Sequence, residues 1–299
     1  MIWTMAELLG GVETGGTWCV CAVGRGPGEL VAREQFRTGA PAETLERIVE
    51  FFAAHERPRA VGVGAFGPVD LDRGSRTWGH VTSTPKPGWR DVALAPVLEQ
   101  RLGLPVAFET DVTAAAVGEH RWGAGRGARN LCYLTVGTGI GGGVLIDGRP
   151  VHGLIHPEVG HLRVPHDRER DPFAGHCPVH GDCWEGLAAG GALAERWGAS
   201  PEELPEDHPA WPLEAEYLAC GLLAIVSVVS PERVILGGGV MERAGLRARV
   251  GERLAELNAG YLDTPLLGER VRDYLVAPQL GDDAGVLGAM ALAQQAIRD

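Results

Sequence analysis

Lysine is almost missing: of 27 basic side chains only Lys86 is a lysine, and the rest are arginine. So complete a preference reads as coding bias, which makes any Arg-for-Lys contrast uninformative. Basic charge as a whole is in deficit, 27 residues against 39 acidic ones, for a formal net charge of −12. Nucleic-acid binding needs a clustered basic surface that neutralises phosphates, so that partner class is excluded. Cysteine is sparse, six in 299 residues, which excludes a disulfide scaffold. The most apolar run, Tyr217 to Val229, falls short of the roughly 20 residues a helical membrane span requires. The opening MIWTMAELLGG has neither a basic n-region nor the apolar length of a signal peptide. The expectation is a cytoplasmic protein with no membrane partner.

Glycine, by contrast, is abundant, 44 of 299 residues without a repeat period. That density implies many tight turns and close backbone approaches to a ligand. With 45% hydrophobic and 22% charged residues, the chain reads as globular, with length for one large or two ordinary domains. LLGGVETGGTWCVCAVG reads as strand, glycine turn, strand; Pro41 to His55 follows as a helix, and AVGVGAFGPVD as a buried strand ending in a Gly-Pro turn. From about residue 131 the order repeats. NLCYLTVGTGIGGGVLIDGR is a second strand–turn–strand, Glu214 to Ser230 a helix, and PERVILGGGVM a buried strand ending in glycines. Ala199 to Pro212, rich in proline and acid, reads as an exposed loop, and Asp282 to Ile297 as a helix with an acidic first turn. Two similar halves suggest two α/β domains facing a common cleft.

The segment Gly137 to Gly142 matches the dinucleotide pattern G-x-G-x-x-G, but its context rejects that function. The fingerprint must lead into a helix, whereas GVLIDG continues as a strand. What remains is a hairpin whose backbone N–H groups can form an anion nest. Two such hairpins, carrying Thr17 and Thr138, point to a polyphosphate held by both halves.

Six of ten histidines fall between His152 and His180, around the motif C-P-V-H-G-D-C. Cys177, His180 and Cys183 at i, i+3, i+6 can converge on one tetrahedral ion, for which zinc is the expectation. The fourth ligand would come from His152, His156, His161, His166 or His176. A closed site would be structural and an open one hydrolytic. The other cysteines, Cys19, Cys21, Cys132 and Cys220, lie in apolar runs and read as core. Glu109 to Asp111 should sit where a strand enters a helix, with Asp111 either in the ligand cleft or merely the helix N-cap. Glu158 and Glu185 flank the metal motif and could bind a polyhydroxylated ligand.

Taken in order, ETGGT, AFGPVD, TPKPGW, ETDVTAAAVGE, VGTGIGGG, HPEVGH, CPVHGDCWEG and PERVILGGGV resemble the ROK family of sugar kinases and sugar-responsive repressors. The resemblance spans about Gly10 to Ala291. It implies an α/β, actin-like ATPase (ribonuclease H-like) fold, two domains around a nucleotide and sugar cleft. The expected division is 1–114, with helix 282–299 packing back onto it, and 115–281, containing a zinc loop at 161–183. Cys-Pro-x-His-Gly-x-Cys, Glu13 and TPKPGW look like the fructokinase branch. That implies ATP-dependent phosphorylation of a hexose at its primary hydroxyl, with D-fructose first and mannose or glucose as alternatives.

The resemblance also implies the roles of individual residues. Asp111 is the catalytic base. Gly67, Thr110, Glu158, His161 and Glu185 contact the sugar. Gly15, Gly16, Thr17, Thr138 and Gly139 hold the ATP phosphates with Mg²⁺. Gly237, Gly238, Gly239, Val240 and Met241 line the adenosine side, with Ala188 at the base. His161 completes the zinc ligands with Cys177, His180 and Cys183, and a homodimer is implied. Two departures stand out: Trp18 where the family often has Lys, and Thr113 where it has Asn. The first keeps alive a binding-only sugar sensor, although an N-terminal DNA-binding domain has no room before the first hairpin. A zinc hydrolase is disfavoured, because four protein ligands leave no position for water.

Overall fold

The computed structural model describes residues 7–297, so the expectation for the signal-peptide segment falls partly outside the described residues, at Met1 to Ala6. Contacts divide the chain into two units: residues up to Gly127 with Gly143–Pro157 and the segment from Gln279, and Ala128–Gly142 with Glu158–Pro278. The expected boundary at 114 falls inside a helix, and the whole of that helix stays with the first unit.

In the first unit, β1 (Leu9–Thr14), β2 (Trp18–Gly24) and β3 (Leu30–Arg37) form an antiparallel meander. Helix α1 (Pro41–Ala54) follows, with proline in its first turn, where a missing N–H costs nothing, and Leu45, Ile48, Phe51 and Phe52 buried. Strand β4 (Val61–Ala65) is wholly buried and pairs parallel to β1. The short pair β5 (His80–Val81) and β6 (Val92–Ala93) precedes α2 (Leu94–Leu102). Strand β7 (Val106–Thr110), parallel to β4, completes the sheet order β3–β2–β1–β4–β7 and runs directly into α3 (Asp111–Trp122). The register sets Glu13, Gly64 and Glu109 in one row across β1, β4 and β7 at their C-terminal ends.

The second strand–turn–strand is β8 (Leu131–Val136) and β9 (Ile140–Ile146), and β10 (Arg149–Pro150) pairs with β9. Helices α4 (Trp184–Ala188), α5 (Gly190–Trp197) and α6 (Ala210–Val229) then lead to β11 (Arg233–Gly237), parallel to β8. Helices α7 (Leu246–Asn258) and α8 (Val271–Tyr274) precede β12 (Leu275–Val276), parallel to β11, giving the order β10–β9–β8–β11–β12. Helix α9 (Ala284–Ala296) returns to the first unit.

Helix α6 corrects the sequence analysis. It starts at Ala210, inside the expected loop, because Pro212 falls in the first turn and Trp211 Nε1 donates to the Pro205 carbonyl at 2.7 Å. Its 20 residues, with a window of mean hydropathy 1.6, are long and apolar enough to span a bilayer, so the argument from length fails. Half of that window is buried inside the protein, together with Glu214, as in the core helix of a globular domain.

Helix α9 packs into the first unit through glycines. A Cβ at Gly118 of α3 would lie 2.7 Å from the Ala284 carbonyl oxygen, and one at Gly288 would overlap that of Ala114. Apolar Val286, Leu287, Met290 and Ala293 join Leu9, Val20 and Ala22 in one core.

Candidate active site and metal centre

Where β7 becomes α3, Thr110 is the N-cap: its hydroxyl accepts from Thr113 N at 3.1 Å. Asp111 is therefore released from the capping role that sequence left open. Its Oδ1 accepts from Val112 N at 2.8 Å, and burial pushes its carboxyl up to about 6. Glu13 is pushed up to about 8, by burial first and then by the charges of Asp111 and Asp283. A Cβ at Gly285 would overlap the Glu13 carboxyl, so a larger residue there would force that side chain to move. Thr113, the departure from the family pattern, is buried, and its hydroxyl accepts from Thr110 Oγ1 at 2.7 Å.

Gly67 lies in a turn tied at both sides, by Phe66 N donating to Thr14 O at 2.8 Å and Val69 N donating to His156 Nε2 at 3.0 Å. One pair was not foreseen: His152 Nε2 lies 2.6 Å from Glu109 Oε2, with the Glu109 side chain 3% exposed. The hydrogen bond to Glu109 raises the His152 pKa. Position 109, immediately before the Thr110–Asp111 cap, was the available signal. The first glycine hairpin closes with Gly15 N donating to Trp18 O at 2.8 Å, while Thr38 Oγ1 donates to Gly15 O at 2.8 Å. Gly16 and Thr17 are exposed. The indole of Trp18 carries the Arg37 guanidinium 4.1 Å above its ring.

In the second unit, the hairpin carrying Thr138 and Gly139 is joined to Glu185. Ile140 N donates to Glu185 Oε2 at 3.0 Å, and a Cβ at Gly139 would lie 2.5 Å from that oxygen. Glu158 is exposed and starts the short turn that ends at His161. Ala188 is fully buried at the end of α4. At the end of β11, Gly237 passes into Gly238, whose φ of 92° favours glycine and whose Cβ would meet the Val136 backbone. Gly239, Val240 and Met241 follow in a 3-10 turn. Gly239 and Val240 border a cavity of about 240 Å³ that also touches Pro201, Trp211 and Arg243.

The ligand atoms of His161, Cys177, His180 and Cys183 all lie within 4.8 Å of one another. His161 Nδ1 is 3.5 Å from Cys183 Sγ and 3.9 Å from Cys177 Sγ, and His180 Nδ1 is 3.8 Å from Cys177 Sγ. The three shorter separations are close to the roughly 3.3–3.8 Å edges of a tetrahedron with metal–ligand bonds of about 2.0–2.3 Å, while the widest, up to 4.8 Å, would have to close for all four side chains to ligate one ion. The alternatives are otherwise engaged: His152 with Glu109, His156 with Val69, His166 with the Asp171 carbonyl at 3.0 Å, and His176 with Glu195.

The ROK family model matches residues 9–296. The chain belongs to the ROK family. Among its relatives, a fructokinase of Zymomonas mobilis is 42% identical over 295 residues, covering 96% of each chain. The crystal structure of a ROK hexokinase from Thermus thermophilus superposes with a TM-score of 0.79 at 30% identity, covering 98% of this chain and 99% of that one. A ROK glucokinase from Streptomyces griseus, in complex with glucose and AMPPNP, gives 0.75 at 30% identity, covering 96% and 99%. The ROK protein described here thus has the α/β, actin-like ATPase fold.

Proposed function

We propose that this ROK protein is an ATP-dependent fructokinase, converting D-fructose to D-fructose 6-phosphate with release of ADP. The observation that carries this reading is the 42% identity to a fructokinase along nearly the whole chain, against 30% to the Streptomyces griseus glucokinase. Asp111 is the base: its carboxylate takes the proton of the primary hydroxyl as that oxygen attacks the γ-phosphorus. Gly67, Thr110, Glu158, His161 and Glu185 bind the sugar. Gly15, Gly16, Thr17, Thr138 and Gly139 bind the ATP phosphates, and Mg²⁺ accompanies the nucleotide. Gly237 to Met241 hold the adenosine, supported by the cavity at Gly239 and Val240, with Ala188 contributing backbone because its methyl is buried.

His161, Cys177, His180 and Cys183 hold a structural zinc. Two thiolates and two imidazoles suit that ion, and four protein ligands leave no water position for hydrolysis. The zinc fixes the segment that carries Glu158 and Glu185. A homodimer and a cytoplasmic location, where ATP is supplied, complete the reading.

The test is a coupled ADP-release assay with ATP, Mg²⁺ and a panel of fructose, mannose, glucose and N-acetylmannosamine. Release that depends on fructose, faster than with the other sugars, is expected. No release with any sugar from folded, zinc-loaded protein would overturn the kinase reading in favour of a binding-only protein.

A further inference from the structure

The single lysine has so far been given no task. Lys86 lies in the TPKPGW segment, and its Nζ donates a 2.6 Å hydrogen bond to the Gly16 carbonyl at the tip of the first glycine hairpin. The ammonium stands 6.0 Å from the Phe66 ring centroid. Its backbone is held in place: Trp89 N donates to the Lys86 carbonyl at 3.2 Å, and the fully buried Trp89 donates from Nε1 to Gly39 O at 3.0 Å. No carboxylate pairs with Lys86 among the described residues.

A carbonyl takes one of the three N–H donors of an ammonium and leaves its charge uncompensated. The hairpin therefore presents a net cation beside exposed backbone at Gly16 and Thr17. An arginine would be a planar fork. A lysine is a compact charge with rotatable donors that can serve a carbonyl and a phosphate oxygen together.

We propose that Lys86 contacts the terminal phosphoryl group of ATP and offsets its charge during transfer. The idea rests on the kinase reading above and deepens it. As the bond from the fructose primary oxygen to phosphorus forms and the bond from phosphorus to the ADP oxygen breaks, the hydroxyl proton passes to Asp111 and charge builds on the departing β-phosphate. A fixed ammonium at the hairpin stabilises that distribution.

The experiment compares wild type with Lys86→Met, Lys86→Arg and the double variant Lys86→Met/Trp18→Lys. Trp18 is 43% exposed next to the hairpin, so a lysine there restores a charge without disturbing the core. The readouts are kcat, KM for ATP and for fructose, melting temperature, and direct binding of AMPPNP and ADP. A charge-assisted contact is worth about 10-fold or more, so Lys86→Met should lower kcat/KM for ATP and weaken AMPPNP by at least that factor. ADP binding, KM for fructose and melting temperature should stay near wild type, Lys86→Arg should lie between, and the double variant should recover part of the loss.

Wild-type kcat/KM in Lys86→Met would overturn the proposal. So would equal weakening of ADP and AMPPNP with a lowered melting temperature, the signature of a hairpin clip. If the wild type turns over no sugar, the kinase reading fails on that result alone, and the AMPPNP-to-ADP comparison still decides the role of Lys86.

Discussion

At Asp111 burial sets protonation, and in the proposed role of base that protonation would set the rate. Its pKa rises from 3.8 to about 6, so the carboxyl is neutral well above the usual carboxylate range. A base works only when ionised, so kcat/KM should climb as pH rises through about 6 and flatten above it, in a profile measured at saturating ATP. Asp111→Asn should fold, keep its metal and lose about 10²–10⁴-fold in turnover; retained turnover would remove Asp111 as the base.

Glu214 poses the opposite problem. Both of its carboxyl oxygens are buried without a hydrogen-bond partner, and burial raises its pKa well above 4.5 against the partial relief of Arg196. With the folded pKa raised, its contribution to stability is complete below about 4.5 and is lost as pH rises through the folded value. Glu214→Gln should therefore stabilise the protein increasingly toward alkaline pH, by about 1–3 kcal/mol in denaturant melts.

In the sequence, Asp111 could be read either as a cleft carboxylate or as a helix cap. Only the hydroxyl of Thr110 on the Thr113 amide separates the two roles. The place of Glu109 at the strand end was readable, but its pairing with His152 was not, since 43 positions separate the partners.

Among the elements, the loop from Val159 to Cys183 is the one that the proposed metal would hold together. Little regular structure lies between the 3-10 turn at Val159–His161 and α4. Four side chains converge there instead, and the proposed ion would supply the cohesion that a core supplies elsewhere. Cys183→Ala should lower zinc content, measured by metal analysis of the purified protein, and raise KM for the sugar; unchanged zinc would reject the ligand set. The ligand spacing of Cys177, His180 and Cys183 was plain in the sequence. Choosing His161 from five histidines needed the family pattern, and the structure brings that residue to the other three. Helix α6 was misjudged at its start, where proline and acidic composition masked the first turn of a helix.

For the whole molecule, neither unit is one stretch of chain. The first takes in Gly143–Pro157 and the segment from Gln279, and both belong to it through contacts at long sequence separation. The family resemblance implied the return of the C-terminal helix, but not that of Gly143–Pro157, and the expected break at 114 falls inside α3. Glu119 shows what the return achieves: it is buried, with Oε1 accepting from Leu280 N at 2.8 Å and Oε2 from Ala124 N at 2.6 Å. A chain ended at Pro278 should leave Leu9, Val20 and Ala22 without the α9 side of their core and should fail to give a cooperative melt or a soluble product.

The glycine seam that admits α9 also governs the order of events on the ribosome. The strands of the first sheet emerge early, yet the helix that covers one of their faces is translated after the whole second unit. Until α9 has emerged, the nascent protein carries an open apolar surface, and the close fit at Gly118 and Gly288 is the latch that covers it.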